Sequence, residues 1–461
     1  MGRLDDIADH LHDRLAALLD VHGVPGASVA VVAGGDIVDH AAGVLSTATR
    51  VEATTDSVFQ IGSITKVWTA TLVMQLVDEG LVRLDEPVRT YLPEFSVADE
   101  DASSTITVRQ LLSHRAGFEG DVFTDTGRGD DAVAKYVETL AGLPQIFRPG
   151  DFFSYNNAGY IVLGRLVERL RGTTWERALI DRIAVPLGLE RVSPSPYEAI
   201  MHRAAVGHVG ADDDGVETPA PFWAMARSNE PAGSMLAMSA RDLAGFARMH
   251  LAGGVAADGT AVLSPDSARA MRGVEVALPT LTGMGIAWGL GWEIHAEGDR
   301  TLLGHDGNTI GQASFLRLVP EAGVAVVLLT NGGDGIGLFH DLTGPLLREH
   351  AGVELPSWPS PPAEPVEMDP AGLLGVYSNS LVDMIVSQDE SGRLWLEQRP
   401  KGSLVELGRS ASRDELVPFG ADALILLEKT GGMHPVFAFL APDDEGHRSY
   451  LHYGRVIARS E

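Results

Sequence analysis

The chain has 461 residues, 45% of them apolar and 21% charged, which suits two or three folded domains rather than a disordered or fibrous protein. Its 35 basic and 63 acidic side chains leave a net charge of −28, which repels phosphate backbones and anionic lipid, so no nucleic acid and no membrane surface is expected as a partner. Cysteine is absent, which removes disulfides, thiolate catalysis and cysteine-bound metals together.

Residues 1–10 are acidic and polar with no apolar stretch behind them, a start that predicts no secretory signal and a cytoplasmic location. No run of eighteen apolar residues predicts a membrane span. Ile7, Leu11, Leu15 and Leu18 recur at helical spacing. Residues 27–32 and 36–42 read as strands joined at Gly34-Gly35 in a hairpin. Helical stretches then alternate with loops to about residue 275. Residues 313–319 and 324–329 read as neighbouring strands with Glu321-Ala322-Gly323 between them. Early and late strands around a helical middle predict one α/β domain over residues 1–354, its sheet drawn from both ends of that span.

Residues 355–370 are rich in proline and predict a semi-rigid extended spacer. Short strands are expected beyond it at 384–386, 393–397, 404–407, 424–427, 436–440 and 450–457, separated by Gly, Asp and Pro turns. Short strands without helices predict a small all-β sandwich or barrel over residues 371–461.

Lysine occurs at four positions only, and one of them, Lys66, falls inside an almost wholly apolar helix that residues 59–66 open and that runs to Gly80. A buried ammonium is costly, and its pKa falls toward neutrality. Ser63 lies three residues earlier on the same face, so a hydroxyl sits beside an amine able to take its proton, near helix N-terminal N–H groups. Most Ser-x-x-Lys sequences are only a helix cap and a solvated lysine. The apolar setting of Lys66 favours a nucleophile and its base.

Residues 148–160 form a turn, an aromatic stretch and a helix start. Tyr155 is a candidate for proton transfer, and Asn157 for holding a substrate amide and bonding to Lys66. Tyr377-Ser378-Asn379 shows the same spacing and reads as structural, at the start of the β region. The third element is His305-Asp306-Gly307-Asn308, just before the strand at 313–319. His-x-Gly also occurs at His208, His350 and His452, so only its placement distinguishes it. An edge strand there would offer the Asn308 N–H as an oxyanion donor beside that of Ser63, with Gly307 allowing close backbone approach. The histidines are otherwise scattered, so no metal is expected.

In this order the three elements resemble the serine β-lactamase and penicillin-binding-protein superfamily, in its class C-like branch. Ser63-Ile64-Thr65-Lys66 matches Ser-x-x-Lys, Tyr155-Asn156-Asn157 matches Tyr-x-Asn, and His305-Asp306-Gly307 stands where β-lactamases carry Lys-Thr-Gly. Residues 107–117 and 231–235 also look familiar. The resemblance spans roughly residues 10–350 and implies a β-lactamase-like catalytic domain with a helical subdomain, followed by a lipocalin-like barrel.

Histidine in place of the lysine of Lys-Thr-Gly is similar to family esterases, D-amino-acid-specific peptidases and peptide cyclases. Together with the lipocalin-like tail, it makes the chain look most like the stand-alone penicillin-binding-protein-type thioesterases of nonribosomal peptide synthesis. The resemblance implies a peptidyl thioester substrate and transient contact with a peptide carrier domain. It implies no cofactor, since the phosphopantetheine arm belongs to the carrier-bound substrate. Ser63 would form the acyl-enzyme, with Lys66, Tyr155 and His305 moving protons and the peptide's own amine closing the ring. The competing expectation is a cytoplasmic D-stereospecific peptidase, amidase or esterase that uses water, and a catalytically silent scaffold is a third. Arg448, in residues 447–450, is a candidate to reach the site from the β region, against the simpler reading of a surface hairpin arginine.

Overall fold

The computed structural model describes residues 2–211, 217–296, 299–364, 366–406 and 409–460. Helix α1 (Arg3–His22) ends at Gly23 in the left-handed conformation and leads into strands β1 (Gly26–Ala33) and β2 (Asp36–Gly43), the expected hairpin. Helix α2 (Thr65–Asp78) follows a single 3-10 turn at Gly62–Ile64. Helix α3 (Val108–Leu112) is closed at its N-terminus by a reciprocal pair of bonds between Thr107 and Gln110. Helix α4 (Asn157–Arg171) is capped by Asn156, and helix α5 (Ala240–Leu251) by Ser239.

Strands β3 (Val276–Ala277), β4 (Ala287–Trp288), β5 (Glu293–Ala296), β6 (Leu302–Asn308), β7 (Ala313–Val319) and β8 (Val324–Thr330) complete an eight-stranded sheet in the order β2-β1-β8-β7-β6-β5-β4-β3. The register joins the two ends of the span, with Ala27 opposite Thr330 and Ala33 opposite Val324. Helix α6 (Gly335–Leu346) and α1 cover one face, burying Val29, Val31, Val326 and Leu328. The other face buries Ala30, Val32, Val327 and Leu329 against the helical core that holds α2, α4 and α5. With both faces covered, β1 and β8 read as continuous apolar runs rather than as alternating ones.

The C-terminal part is a closed antiparallel barrel of β9 (Gly375–Ser378), β10 (Val382–Gln388), β11 (Leu394–Pro400), β12 (Ser412–Gly420), β13 (Ala423–Leu426), β14 (Val436–Pro442), β15 (Arg448–His452) and β16 (Val456–Ser460), sealed by pairing of β9 with β16. Two expectations are corrected here. The strand expected at 404–407 is instead a helical turn over Ser403–Glu406, held by local bonds such as Val405 N–H to Gly402 O, and its last residue lies outside the described residues. The strand expected at 450–457 is two strands, because Gly454 at φ 95° turns the chain between them. The proline-rich segment runs alongside the catalytic part, where Trp358 packs against His340 with ring centres 5.3 Å apart. Its Pro365 lies outside the described residues.

The β15–β16 turn is also where the barrel docks. The Tyr155 N–H donates to the Gly454 carbonyl at 2.9 Å, the Val456 N–H to Ser154 Oγ at 3.1 Å, and His452 Nε2 to the Phe153 carbonyl at 2.7 Å. Three successive residues of the Tyr155 loop are thereby tied to the barrel.

Candidate active site

A cleft of about 510 Å³ collects Ser63, Tyr155, Asn157, His305 and Asn308 along its wall. Ser63 sits in the 3-10 turn that opens α2, and Lys66 one turn on is fully buried. Lys66 Nζ donates to the Ala232 carbonyl at 2.6 Å and lies 3.1 Å from Ser63 Oγ. Residues 231–235 thus supply an anchor for the lysine, a role the sequence did not disclose. Burial pushes the Lys66 pKa well below the usual lysine range, and the nearby Arg455 charge pushes it the same way.

Tyr155 is buried beside the pair, its ring centre 4.9 Å from Lys66 Nζ. Burial raises its phenol pKa, against a smaller opposing effect from its hydrogen bond with Ser63. Burial thus favours the uncharged amine and the uncharged phenol around the serine over an ammonium and a phenolate. A neutral amine can accept the Ser63 proton, and a phenol beside it can pass a proton on.

Asn157 does not bond to Lys66, contrary to expectation. Its amide donates to Asp121 Oδ1 at 2.7 Å, and Asp121 in turn accepts from Arg455 Nε at 2.8 Å. The amide nitrogen is bound to a charged acceptor, while Lys66 Nζ donates to Ser63 Oγ and the Ala232 carbonyl instead. Arg455 belongs to the β15–β16 turn, and its guanidinium carbon lies 4.7 Å from the Tyr155 ring centre. Arg448, weighed for this position, pairs with Asp422 on the barrel instead. The arginine that reaches the cleft is seven residues further on.

Strand β6 is internal to the sheet rather than an edge strand, since β5 and β7 flank it. Its pairing with β5 ends at Gly304, however, so His305 to Asn308 project past that neighbour and present an open edge to Ser63. A Cβ at Gly307 would lie 2.0 Å from the Ile61 carbonyl, and one at Gly62 would lie 2.7 Å from the Asn308 nitrogen. Only glycine permits that approach at either place, and it brings the Ser63 and Asn308 backbones together.

His305 is buried, and its Nδ1–H donates to the Asp306 carbonyl at 2.7 Å, which leaves Nε2 with a free lone pair. Burial lowers its pKa to about 4, so it is neutral near pH 7. Glu293, which the sequence did not single out, lies 3.7 Å from His305 Nδ1, its carboxyl pKa raised by burial. Asp306 is held by Arg317 at 2.6 Å. Among the described residues no group of carboxylates and histidines is arranged to hold a metal ion.

The family model described as beta-lactamase matches residues 11–344. The chain is 48% identical over 373 residues to penicillin-binding protein 4 of Amycolatopsis lactamdurans, covering 80% of this chain and 97% of that one. Among solved structures, SurE superposes with a TM-score of 0.80 at 30% identity over 99% of both chains, and its form with D-Leu with a TM-score of 0.77. D-amino acid amidase from Ochrobactrum anthropi SV3 shares the fold at 24% identity and a TM-score of 0.60, covering 75% of this chain and 97% of that one.

Proposed function

The chain belongs to the β-lactamase and penicillin-binding-protein superfamily of serine hydrolases, and on that premise we propose that it is an acyltransferase that takes a peptide from a thioester and closes it head to tail. Ser63 Oγ attacks the thioester carbonyl while neutral Lys66 accepts its proton. The N–H groups of Ser63 and Asn308 hold the oxyanion. The C–S bond breaks, and the thiolate leaves with a proton passed through Tyr155. The peptide's α-amine then attacks the Ser63 ester and loses a proton to the His305–Tyr155–Lys66 group. Ser63 departs with a proton, and the new amide closes the ring. No cofactor enters, and the phosphopantetheine arm arrives with a carrier-bound substrate.

The observation that carries the cyclising step is the cleft itself. Its wall combines Phe123 and Ile310 of the catalytic part, Trp358 of the proline-rich segment, and Met433 and Arg455 of the barrel. An acyl chain on Ser63 is therefore flanked by apolar side chains from all three parts of the chain, and folding it back makes aminolysis effectively unimolecular, which lets an amine outcompete water. The likeness to SurE covers the barrel as well, and the D-Leu held by that protein supports a D-residue at the acyl position.

The test compares a linear pentapeptidyl N-acetylcysteamine thioester ending in D-leucine with its N-acetylated twin. Both should acylate Ser63, seen as an adduct in the intact protein mass. Only the free amine should then turn over rapidly, while the acetylated peptide accumulates as acyl-enzyme. Equal turnover of the two would assign the acceptor to water.

A further inference from the structure

Among the described residues, His114 is one of three non-glycine positions with positive φ, at 56°. It follows α3, and it is buried. A left-handed conformation in a buried histidine carries a backbone cost, and such cost persists where the surroundings fix it. What fixes it here is the loop that carries Tyr155. The His114 carbonyl accepts from the Ser154 N–H at 2.8 Å, and His114 Nδ1 accepts from the Asn156 N–H at 2.9 Å. The residues on either side of Tyr155 thus donate to one histidine. The imidazole also stacks on the phenol ring, with centres 4.4 Å apart and planes 27° apart.

We propose that His114 is a positioning residue for Tyr155, clamping its backbone from both sides and its ring from one face so that the phenol stays aimed at Ser63 and Lys66. The inference rests on Tyr155 moving the Ser63 proton. Because Nδ1 accepts, Nε2 carries the proton, and it finds no hydrogen-bond partner. Trp288 stands edge-on to the ring at 5.0 Å. Burial holds His114 well below the usual histidine pKa, so the clamp adds no charge beside Ser63 and Lys66. An ordinary packing residue would need the ring alone. The two backbone bonds and the left-handed φ are what single His114 out.

The experiment measures kcat and KM for thiol release from the D-leucine-terminated N-acetylcysteamine thioester. A thiol reagent reads this release without background, since the protein has no cysteine. His114→Phe keeps a ring but removes the acceptor. His114→Asn keeps an acceptor near the Nδ1 position and tolerates positive φ. The expected result is a fall of ten-fold or more in kcat for His114→Phe, with KM within two-fold of wild type and at least half of the logarithmic loss recovered in His114→Asn. A smaller fall for His114→Phe, or equal losses in the two variants, would overturn the proposal. If His114→Phe does not fold, His114→Gln replaces it, with a five-fold or greater loss in kcat expected and a smaller one contradictory. Tyr155→Phe measured alongside separates the failures: an active Tyr155→Phe would remove the mechanistic reading, whereas an inactive one beside an unaffected His114→Phe would remove only the clamp.

Discussion

Arg455 stands over Tyr155 with its guanidinium carbon 4.7 Å from the ring centre, although the two residues lie three hundred positions apart in sequence. One belongs to the barrel and the other to the catalytic part, so the barrel completes the site's electrostatics. The Arg455 charge opposes protonation of Lys66, whereas Asp121 favours it. Replacing Arg455 with methionine removes the first effect and leaves Asp121 unpaired, and both changes raise the Lys66 pKa. The acid limb of the pH–rate profile for acylation, which follows deprotonation of Lys66, is expected to move to higher pH. A stopped-flow profile of thiol release checks this, and a shift to lower pH would contradict it.

Lys66→Arg tests the neutral-amine reading from the other side. Arginine keeps a cation but does not lose its proton in the working range. Acylation is expected to fall by about 10² to 10⁴, the usual worth of a positioned base. Single-turnover thiol release would show it, and near-normal rates would mean that Lys66 acts only as a charge.

Gly307→Ala places a methyl group where the Ile61 carbonyl and Ser314 Oγ already lie, at 2.0 and 2.5 Å. Strand β6 must then move away from the Ser63 turn, taking the Asn308 N–H out of reach of the oxyanion. We expect kcat to drop on the order of 10²-fold, as when one oxyanion donor is lost. A crystal structure of the variant together with steady-state rates checks both parts.

Stability should respond to His250, which lies in the core away from the cleft and contacts Thr71 Oγ1 at 3.2 Å. Burial lowers its pKa from 6.5 to about 3. Between those values the unfolded chain binds a proton that the folded chain refuses, so stability is full above pH 6.5 and declines as pH falls toward 3. In that window His250 contributes a slope of about 1.4 kcal/mol per pH unit. His250→Gln should flatten the acid side of the stability curve by that amount, as measured by denaturant unfolding between pH 6.5 and 4. An unchanged slope would contradict a buried neutral histidine.

Much of the arrangement was legible where local pattern and function coincide. The hairpin at Gly34-Gly35 and the strands over 313–329 announce themselves because turn residues and apolar runs act over a few residues. Lys66 stands out because a charge in an apolar helix has no bland explanation once the helix is buried. Asp121, Glu293 and Arg455 gave no such signal. Asp121 and Arg455 are ordinary charged residues that meet across 334 positions, and Glu293 reaches His305 only through the pairing of β5 with β6. The expected bond from Asn157 to Lys66 failed for the same reason, since nothing near residue 157 discloses a carboxylate brought in from residue 121. The single strand expected over 450–457 failed because a tight turn at Gly454 divides it, and that turn carries the barrel's contribution to the site.

The measurement that tests the account most directly is mass-resolved chromatography of products from the linear D-leucine-terminated thioester, with Ser63→Ala alongside. The account predicts one equivalent of thiol and a peptide one water lighter than the linear acid, both absent in Ser63→Ala. Linear acid alone, or cyclic product formed by Ser63→Ala, would contradict it.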